Sequence, residues 1–281
     1  MKKIVLLFVG VTALGLFVNA KMKSNFPGKI DFAGEEAPLH IPDVRERMDR
    51  ELVVNEYMHG STILILKRAN KVFPIIEPIL AKYNVPDDFK YLAVIESSLT
   101  NAVSSAGARG VWQFMPLTAK EKGLEVSETV DERYHLEKAT EAACKYLVSA
   151  KERFGSWTLA AASYNGGLNG LQNQIDFQGV TNYYDLLLNE ETSRYVFRIL
   201  ALKEIMKNPI KYNFVLSQED LYQKIPTKKI QVDSTVKDLA VFSKLQGINY
   251  KILKYHNPWL RDRKLDNPTK KVYEIEIPEV K

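Results

Sequence analysis

The stretch Asp87-Asp88-Phe89-Lys90-Tyr91-Leu92-Ala93-Val94-Ile95-Glu96-Ser97-Ser98 decides the reading of this chain. Helical spacing places Phe89, Leu92, Ala93 and Glu96 on one stripe, so a carboxylate completes an otherwise apolar face. A carboxyl held there loses solvation, and its pKa is expected to rise toward the range in which it can donate a proton near neutral pH. Asp87 or Asp88 would cap the helix at its start.

Helical patterning continues on both sides. Val44 to Met48 starts one helix, Ile63 to Ala69 a second and Val72 to Leu80 a third, with Pro74 in its first turn. Residues 99 to 115 hold Gly107 and Gly110 and read as a loop or short hairpin, after which Pro116 begins another helix. Leu136 to Phe154 reads as a long helix ended by Gly155-Ser156, Trp157 to Ser163 as a short apolar one, and Glu191 to Met206 as the last long one. The body is therefore mainly α, over residues 44–209, after an extended lead-in over 21–43. Composition shifts after Asn208-Pro209, so 210–226 reads as a linker and 227–281 as a small α+β unit. Its elements are a strand at Lys229 to Val232, a helix from Thr235 to Lys244 capped by Ser234, a helix from Tyr250 to Tyr255, and a closing strand from Lys271 to Ile277.

The chain opens Met1-Lys2-Lys3 and then runs from Ile4 to Ala20 without a charge, ending Val18-Asn19-Ala20 before Lys21. That pattern is a signal peptide over residues 1–20 and implies export to the periplasm or cell envelope. Left uncleaved, the same segment would associate the protein with a membrane, at the short edge of what spans one. The whole chain has 39 basic and 34 acidic residues, for a net charge of +5, and two of the lysines leave with the first twenty residues. So weak a bias, with no phosphate-cradling glycine loop after a strand, argues against nucleic acid or nucleotide as partner. The single cysteine, Cys144 in Ala142-Ala143-Cys144, reads as a small buried hydrophobe, and stability must come from core packing rather than a disulfide. His40, His59, His135 and His256 are scattered without ligand spacing, so neither a metal nor another cofactor is expected.

Glu96-Ser97, followed by Ser104-Ser105-Ala106-Gly107-Ala108-Arg109-Gly110-Val111-Trp112-Gln113-Phe114-Met115-Pro116, resembles the lytic transglycosylases of bacterial cell-wall turnover, and most of all their membrane-bound type D group. The likeness covers about residues 45 to 207. It implies a fold like that of goose-type lysozyme and soluble lytic transglycosylases, and peptidoglycan glycan strands as the partner. By the same resemblance Glu96 matches the family's sole catalytic carboxylate, Ser104 a serine that hydrogen-bonds near the reacting sugar, and Gln113 with Met115 the floor of the cleft. Tyr164 and Asn165, in Ser163-Tyr164-Asn165-Gly166-Gly167, match a third motif; Glu191-Thr192 with Tyr195 match a fourth, which orients the catalytic group and the sugar. Trp112 and Trp157 read as packing residues. The chain departs from the pattern in a stretch from Glu96 to Ser104 that is one residue short, and in Ser163 where alanine is commoner.

The activity implied is non-hydrolytic cleavage between N-acetylmuramic acid and N-acetylglucosamine, leaving 1,6-anhydromuramoyl ends, with Glu96 as both acid and base. Two alternatives stand beside it: a hydrolytic muramidase on the same scaffold, and a non-catalytic peptidoglycan-binding protein. A hydrolase of either usual stereochemistry needs a second carboxyl, about 5 to 9.5 Å from the first. Glu77, Asp131, Glu132, Glu137, Glu141, Glu190 and Glu191 are the candidates, and spacing does not choose among them. The C-terminal unit resembles a divergent LysM domain, a module that binds chains containing N-acetylglucosamine. Ser234 to Ala240, Asn257-Pro258 and Ile275 to Pro278 carry that likeness, and Asp233 replaces the usual glycine.

Overall fold

The computed structural model describes residues 25–279, so the predicted signal segment lies outside the described residues. A hairpin of β1 (Asp31–Phe32) and β2 (Glu35–Glu36), paired antiparallel, precedes the helical body. The body comprises α1 (Pro42–Tyr57), α2 (His59–Lys82), α3 (Lys90–Ser97), α4 (Pro116–Glu121), α5 (Leu136–Phe154), α6 (Trp157–Gly166), α7 (Leu168–Gln178) and α8 (Glu190–Lys207). The C-terminal unit is β3 (Thr227–Val232), α9 (Leu239–Leu245), α10 (Tyr250–His256) and β4 (Tyr273–Pro278), with β3 and β4 antiparallel and Ile230 opposite Ile275. A mainly helical body with a small α+β unit is thus the architecture that the sequence leads one to expect.

The lead-in is not a free arm. Ile30, Phe32, Ala37 and Leu39 are all buried in the main core. The Glu35 carboxylate accepts from the Trp157 and Thr158 amides at 2.7 and 2.8 Å, which satisfies the otherwise orphaned donors at the start of α6 from a distant part of the chain.

The two helices expected around Ile63 and Val72 are one helix, α2, with Pro74 and Pro78 in its interior. Both prolines are exposed and four residues apart, so the carbonyls they leave unpaired lie on the solvent face, where water replaces the lost bonds. The other face, carrying Ile65, Ala69, Val72, Ile76 and Leu80, is buried and holds the helix together across them.

Neither Asp87 nor Asp88 caps α3 with its side chain. Asp88 instead pairs with Lys203 of α8 at 2.6 Å and accepts from the Ala33 amide at 2.7 Å. That buried pair joins the hairpin, the start of α3 and α8; losing one partner would strand a charge, at a cost of about 3–5 kcal/mol.

Residues 210–226, expected to be a linker, are docked along α2. Tyr212 and Phe214 are buried, Phe214 stacks on His59 with ring centroids 4.6 Å apart, and the Tyr222 amide donates to Lys67 O at 3.1 Å. In the C-terminal unit the first helix begins at Leu239 rather than Thr235, because Asp238, not Ser234, caps it, accepting from the Ala240 and Val241 amides. Ahead of that cap Val236 makes a single antiparallel bridge to Leu265.

The C-terminal unit shares a core with the body: Val130 and Tyr134 are buried together with Leu253, Trp259, Leu260 and Ile275. The Asp131 amide donates to Trp259 O at 2.9 Å, and the Arg261 amide to Thr129 O at 2.8 Å.

Candidate active site

Glu96 stands in the last turn of α3. Tyr91 to Ile95 and Ser97 are buried, and Glu96 alone of that turn is half-exposed. Beyond it the chain does something costly: Ser98 and Leu99 take φ values of 52° and 59°, two consecutive non-glycine residues in the left-handed region. Three contacts hold them. Ser97 Oγ donates to Val111 O at 2.8 Å, Arg68 Nη1 donates to Ser98 O at 3.2 Å, and Leu99 is buried. The sharp turn ends the helix at the carboxyl and sends the chain into the 99–115 loop, which stands beside it.

α8 supplies the groups facing Glu96. Tyr195, 1 % exposed, donates its hydroxyl hydrogen to Glu96 Oε1. Arg198, one turn further on, donates from Nη2 to Ile95 O at 3.1 Å. Burial pushes the Glu96 carboxyl up from an ordinary 4.5 to about 7; the Tyr195 hydrogen bond and the Arg198 charge oppose the rise, and the Glu191 charge adds to it. Because desolvation dominates, the group is poised between its two protonation states at neutral pH.

Tyr164 lies in the electrostatic surroundings of Glu96 but spends its hydroxyl hydrogen on Trp112 O, 2.8 Å away; burial, then the Glu96 charge, holds its pKa well above the usual tyrosine value. Asn165, also on α6, donates from Nδ2 to Glu191 Oε1 at 2.9 Å and accepts from Thr192 Oγ1 at 2.7 Å. Asn165 thereby fixes the orientation of Glu191 at the start of α8. Met115 is 42 % exposed, immediately before α4.

Ser104 and Gln113 shape the loop. Ser104 Oγ accepts from the Ala108 amide at 2.9 Å, closing the 104–108 turn. Gln113, at φ 50°, donates from Nε2 to Ala102 O and Gly110 O at 3.0 and 2.7 Å. Thus Tyr195, Tyr164 and the Asn165–Glu191 pair gather around Glu96, while Ser104, Gln113 and Met115 belong to the neighbouring loop wall. Trp112 is buried and donates to Thr140 Oγ1 at 2.8 Å, Trp157 packs edge-on against Phe89, and Cys144 is buried with its thiol pushed up to about 12, all as packing residues.

Two features of the site escape motif reading. Arg198 is one; it lies seven residues after Glu191 and three after Tyr195, so a helical stripe could have exposed it. The other is a buried prop beneath the loop. Arg133 makes a two-pronged pair with Asp131 at 2.9 and 2.8 Å, and its remaining nitrogen donates to Gly107 O and Phe114 O at 3.1 and 3.2 Å. Gly110, at φ 82°, lies so close that a Cβ there would stand 1.9 Å from Arg133 O. Among the described residues no group of three His, Cys, Asp or Glu side chains is placed to hold a metal ion.

Residues 73–186, which contain Glu96, Tyr164 and Asn165 but not Glu191, Tyr195 or Arg198, match the family model described as "Transglycosylase SLT domain". Residues 228–281 match "Soluble lytic transglycosylase C-terminal LysM-like domain". The two matches, in this order on a helical body and a small α+β unit, support assignment to the lytic transglycosylases. The chain is 29 % identical over 235 residues to membrane-bound lytic murein transglycosylase D of Escherichia coli strain K12, and equally to that of strain CFT073 of the same species. The alignment takes in 80 % of this chain and 50 % of either relative, so the chain spans about half the length of the curated relatives it matches.

Proposed function

We propose that this chain is a peptidoglycan lytic transglycosylase of the cell envelope, with Glu96 as its general acid and base. Residues 44–209 would be a goose-type lysozyme-like catalytic domain and 227–281 a LysM-like unit. The observation that carries the reading is one half-buried carboxyl, raised to about 7 and held by a single tyrosine hydroxyl. Protonated Glu96 donates to the oxygen linking N-acetylmuramic acid to N-acetylglucosamine, and the bond opens through an oxocarbenium-like state with help from the muramoyl N-acetyl group. Ionised Glu96 then takes the proton of the muramoyl C6 hydroxyl, whose oxygen closes on C1 to give the 1,6-anhydro ring. Atoms balance without water: the leaving sugar receives one proton and C6–OH returns one.

The groups around Glu96 suit that cycle. Desolvation favours the protonated form needed first; the Tyr195 hydroxyl and the Arg198 charge favour the ionised form produced by donation. Family likeness supports action on peptidoglycan and an exported location, and the predicted signal segment is consistent with both. No described helix is long and apolar enough to cross a membrane.

Digesting purified peptidoglycan with the protein and with Glu96→Gln, then reading the muramoyl ends by mass spectrometry, tests the proposal. Anhydro ends, one water lighter than reducing ends and missing from the variant digest, are expected. Reducing ends would replace the lytic reaction with hydrolysis; glycan binding with no cleavage by either protein would leave a binding module.

A further inference from the structure

A cavity of about 500 Å³ lies where the C-terminal unit meets the helical body. It is lined by Arg68, Val72 and Ile75 of α2, by Leu99 to Asn101 just past the catalytic carboxyl, and by the end of α10 with Trp259. A smaller cleft of about 300 Å³ is lined by Ile95 and Ser98, which flank Glu96 in the chain, by Glu191 and Arg198 of α8, by Met58 just before α2, and by Ser61 and Ile65 of α2. Positions 61, 65, 68, 72 and 75 form one stripe of α2 at helical spacing, so the same face of that helix lines both spaces in succession. At about 1.5 Å per residue that stripe is on the order of 20 Å long, enough for several sugars. Arg68, in the lining of the larger cavity, donates at 3.2 Å to the carbonyl of Ser98, which lines the smaller one two residues from Glu96.

The larger cavity carries excess positive charge. Arg68, Lys71, Lys224 and Lys254 line it; Arg68 spends one nitrogen on the Ser98 carbonyl, Lys71 lies over the Tyr222 ring at 5.7 Å, Lys224 sits in the field of Glu276, and Lys254 is engaged by the Leu260 and Asp262 carbonyls. Of the two acids in the wall, Glu137 is paired with Lys229 at 3.0 Å, outside the lining. The roof is fixed in advance by the Asp131–Trp259 and Thr129–Arg261 backbone bonds and by His135 stacked on Trp259 with centroids 5.9 Å apart.

The sugar backbone of peptidoglycan is uncharged at its glycosidic links; its negative charges are carboxylates of the peptides attached to the muramoyl lactyl groups. We propose that this cavity holds the carboxylate-bearing stem peptide of a muramoyl residue in the same strand whose bond lies at Glu96. The C-terminal unit then forms one wall of a site for the peptide part of the substrate. The proposal rests on peptidoglycan as the substrate proposed above.

The test is a calorimetric titration of the full chain with the N-acetylglucosaminyl-N-acetylmuramoyl disaccharide bearing its tetrapeptide, and with the same disaccharide without peptide. The peptide-bearing ligand is expected to bind about five- to tenfold more tightly at low ionic strength, an advantage that salt erodes. In Lys71→Glu/Lys224→Glu the advantage should vanish while the peptide-free ligand binds as before. A control with equal charge reversal outside the cavity, Lys237→Glu/Lys251→Glu, should keep it. Equal affinity of the unmodified chain for both ligands, or equal loss of both in the two double variants, would overturn the proposal. Binding is read without turnover, so a protein that binds the ligand pair as expected but cuts nothing would refute the lytic reaction and leave this site standing.

Discussion

Replacing Glu96 by glutamine should stabilise the protein, by an amount that grows with pH. Glutamine keeps the shape of the side chain and an oxygen to accept from Tyr195, but it cannot ionise. In the folded protein the Glu96 carboxyl titrates at about 7, against an ordinary 4.5. Its folded pKa is raised, so the stability associated with holding the proton is fully present below 4.5 and is lost as pH rises through about 7. Each tenfold step in proton affinity is worth about 1.4 kcal/mol, so the full interval corresponds to about 3 kcal/mol. Denaturant unfolding of both proteins from pH 4 to pH 8.5 isolates this group, because every other titrating side chain cancels in the difference. The variant's advantage should start near zero at pH 4, climb by about 1.4 kcal/mol per pH unit between 5 and 7, and level off near 3 kcal/mol by pH 8. A difference that stays flat across the range would mean that Glu96 titrates like an exposed carboxyl, and the acid–base cycle would lose its physical basis. The same variant should lose about 10²- to 10⁴-fold in cleavage rate.

Tyr195→Phe removes the hydrogen bond that favours ionised Glu96; kcat should fall roughly 10- to 100-fold, and the alkaline limb of the rate profile should move to higher pH because the carboxyl pKa is released upward. Gly110→Ala places a methyl group against Arg133 O in a backbone conformation that alanine disfavours, and should cost about 2–4 kcal/mol in thermal unfolding. A chain ending at residue 226 uncovers Val130 and Tyr134 and should leave the helical body about 3–5 kcal/mol less stable, seen as a lower denaturant midpoint at unchanged peptidoglycan concentration. A C-terminal unit that could be removed without change in that midpoint would be a tether rather than part of the fold.

Much of the helical body is legible because its signals are local. Gly155 ends α5 where a left-handed residue is required, and a Pro or polar cap followed by 3.6-residue apolar spacing marks α4 and α8. The misreadings share a cause: a distant partner overrides a local signal. Pro74 looks like a helix start, yet the apolar face of α2 is buried along its whole length and carries the helix through two prolines. Asp88 looks like a cap, yet Lys203, far along the chain, claims its carboxylate. In the site, Glu96 announces itself as a charge on an apolar stripe, and Glu191 with Tyr195 follow by family motif. The roles of Ser104 and Gln113 in closing the loop, and the hold of Asn165 on Glu191, depend on turn geometry and helix crossing that no spacing rule contains.

The placement of Arg133 ties these observations together. One face of the 125–135 segment is the floor of the C-terminal unit, through Val130, Tyr134 and the backbone bonds to Trp259 and Arg261. From the same segment Arg133 reaches the other way, to the carbonyls of Gly107 and Phe114, and so ties the middle of the 99–115 loop to its end. The loop in turn carries Val111, whose carbonyl receives Ser97 Oγ, the residue next to Glu96. Every link is buried or nearly so, and a close-packed, low-dielectric path of this kind transmits displacement rather than absorbing it. The left-handed pair Ser98–Leu99 lies at the end of that path, two and three residues past Glu96. The small unit is thus packed as part of the scaffold beneath the loop that follows Glu96.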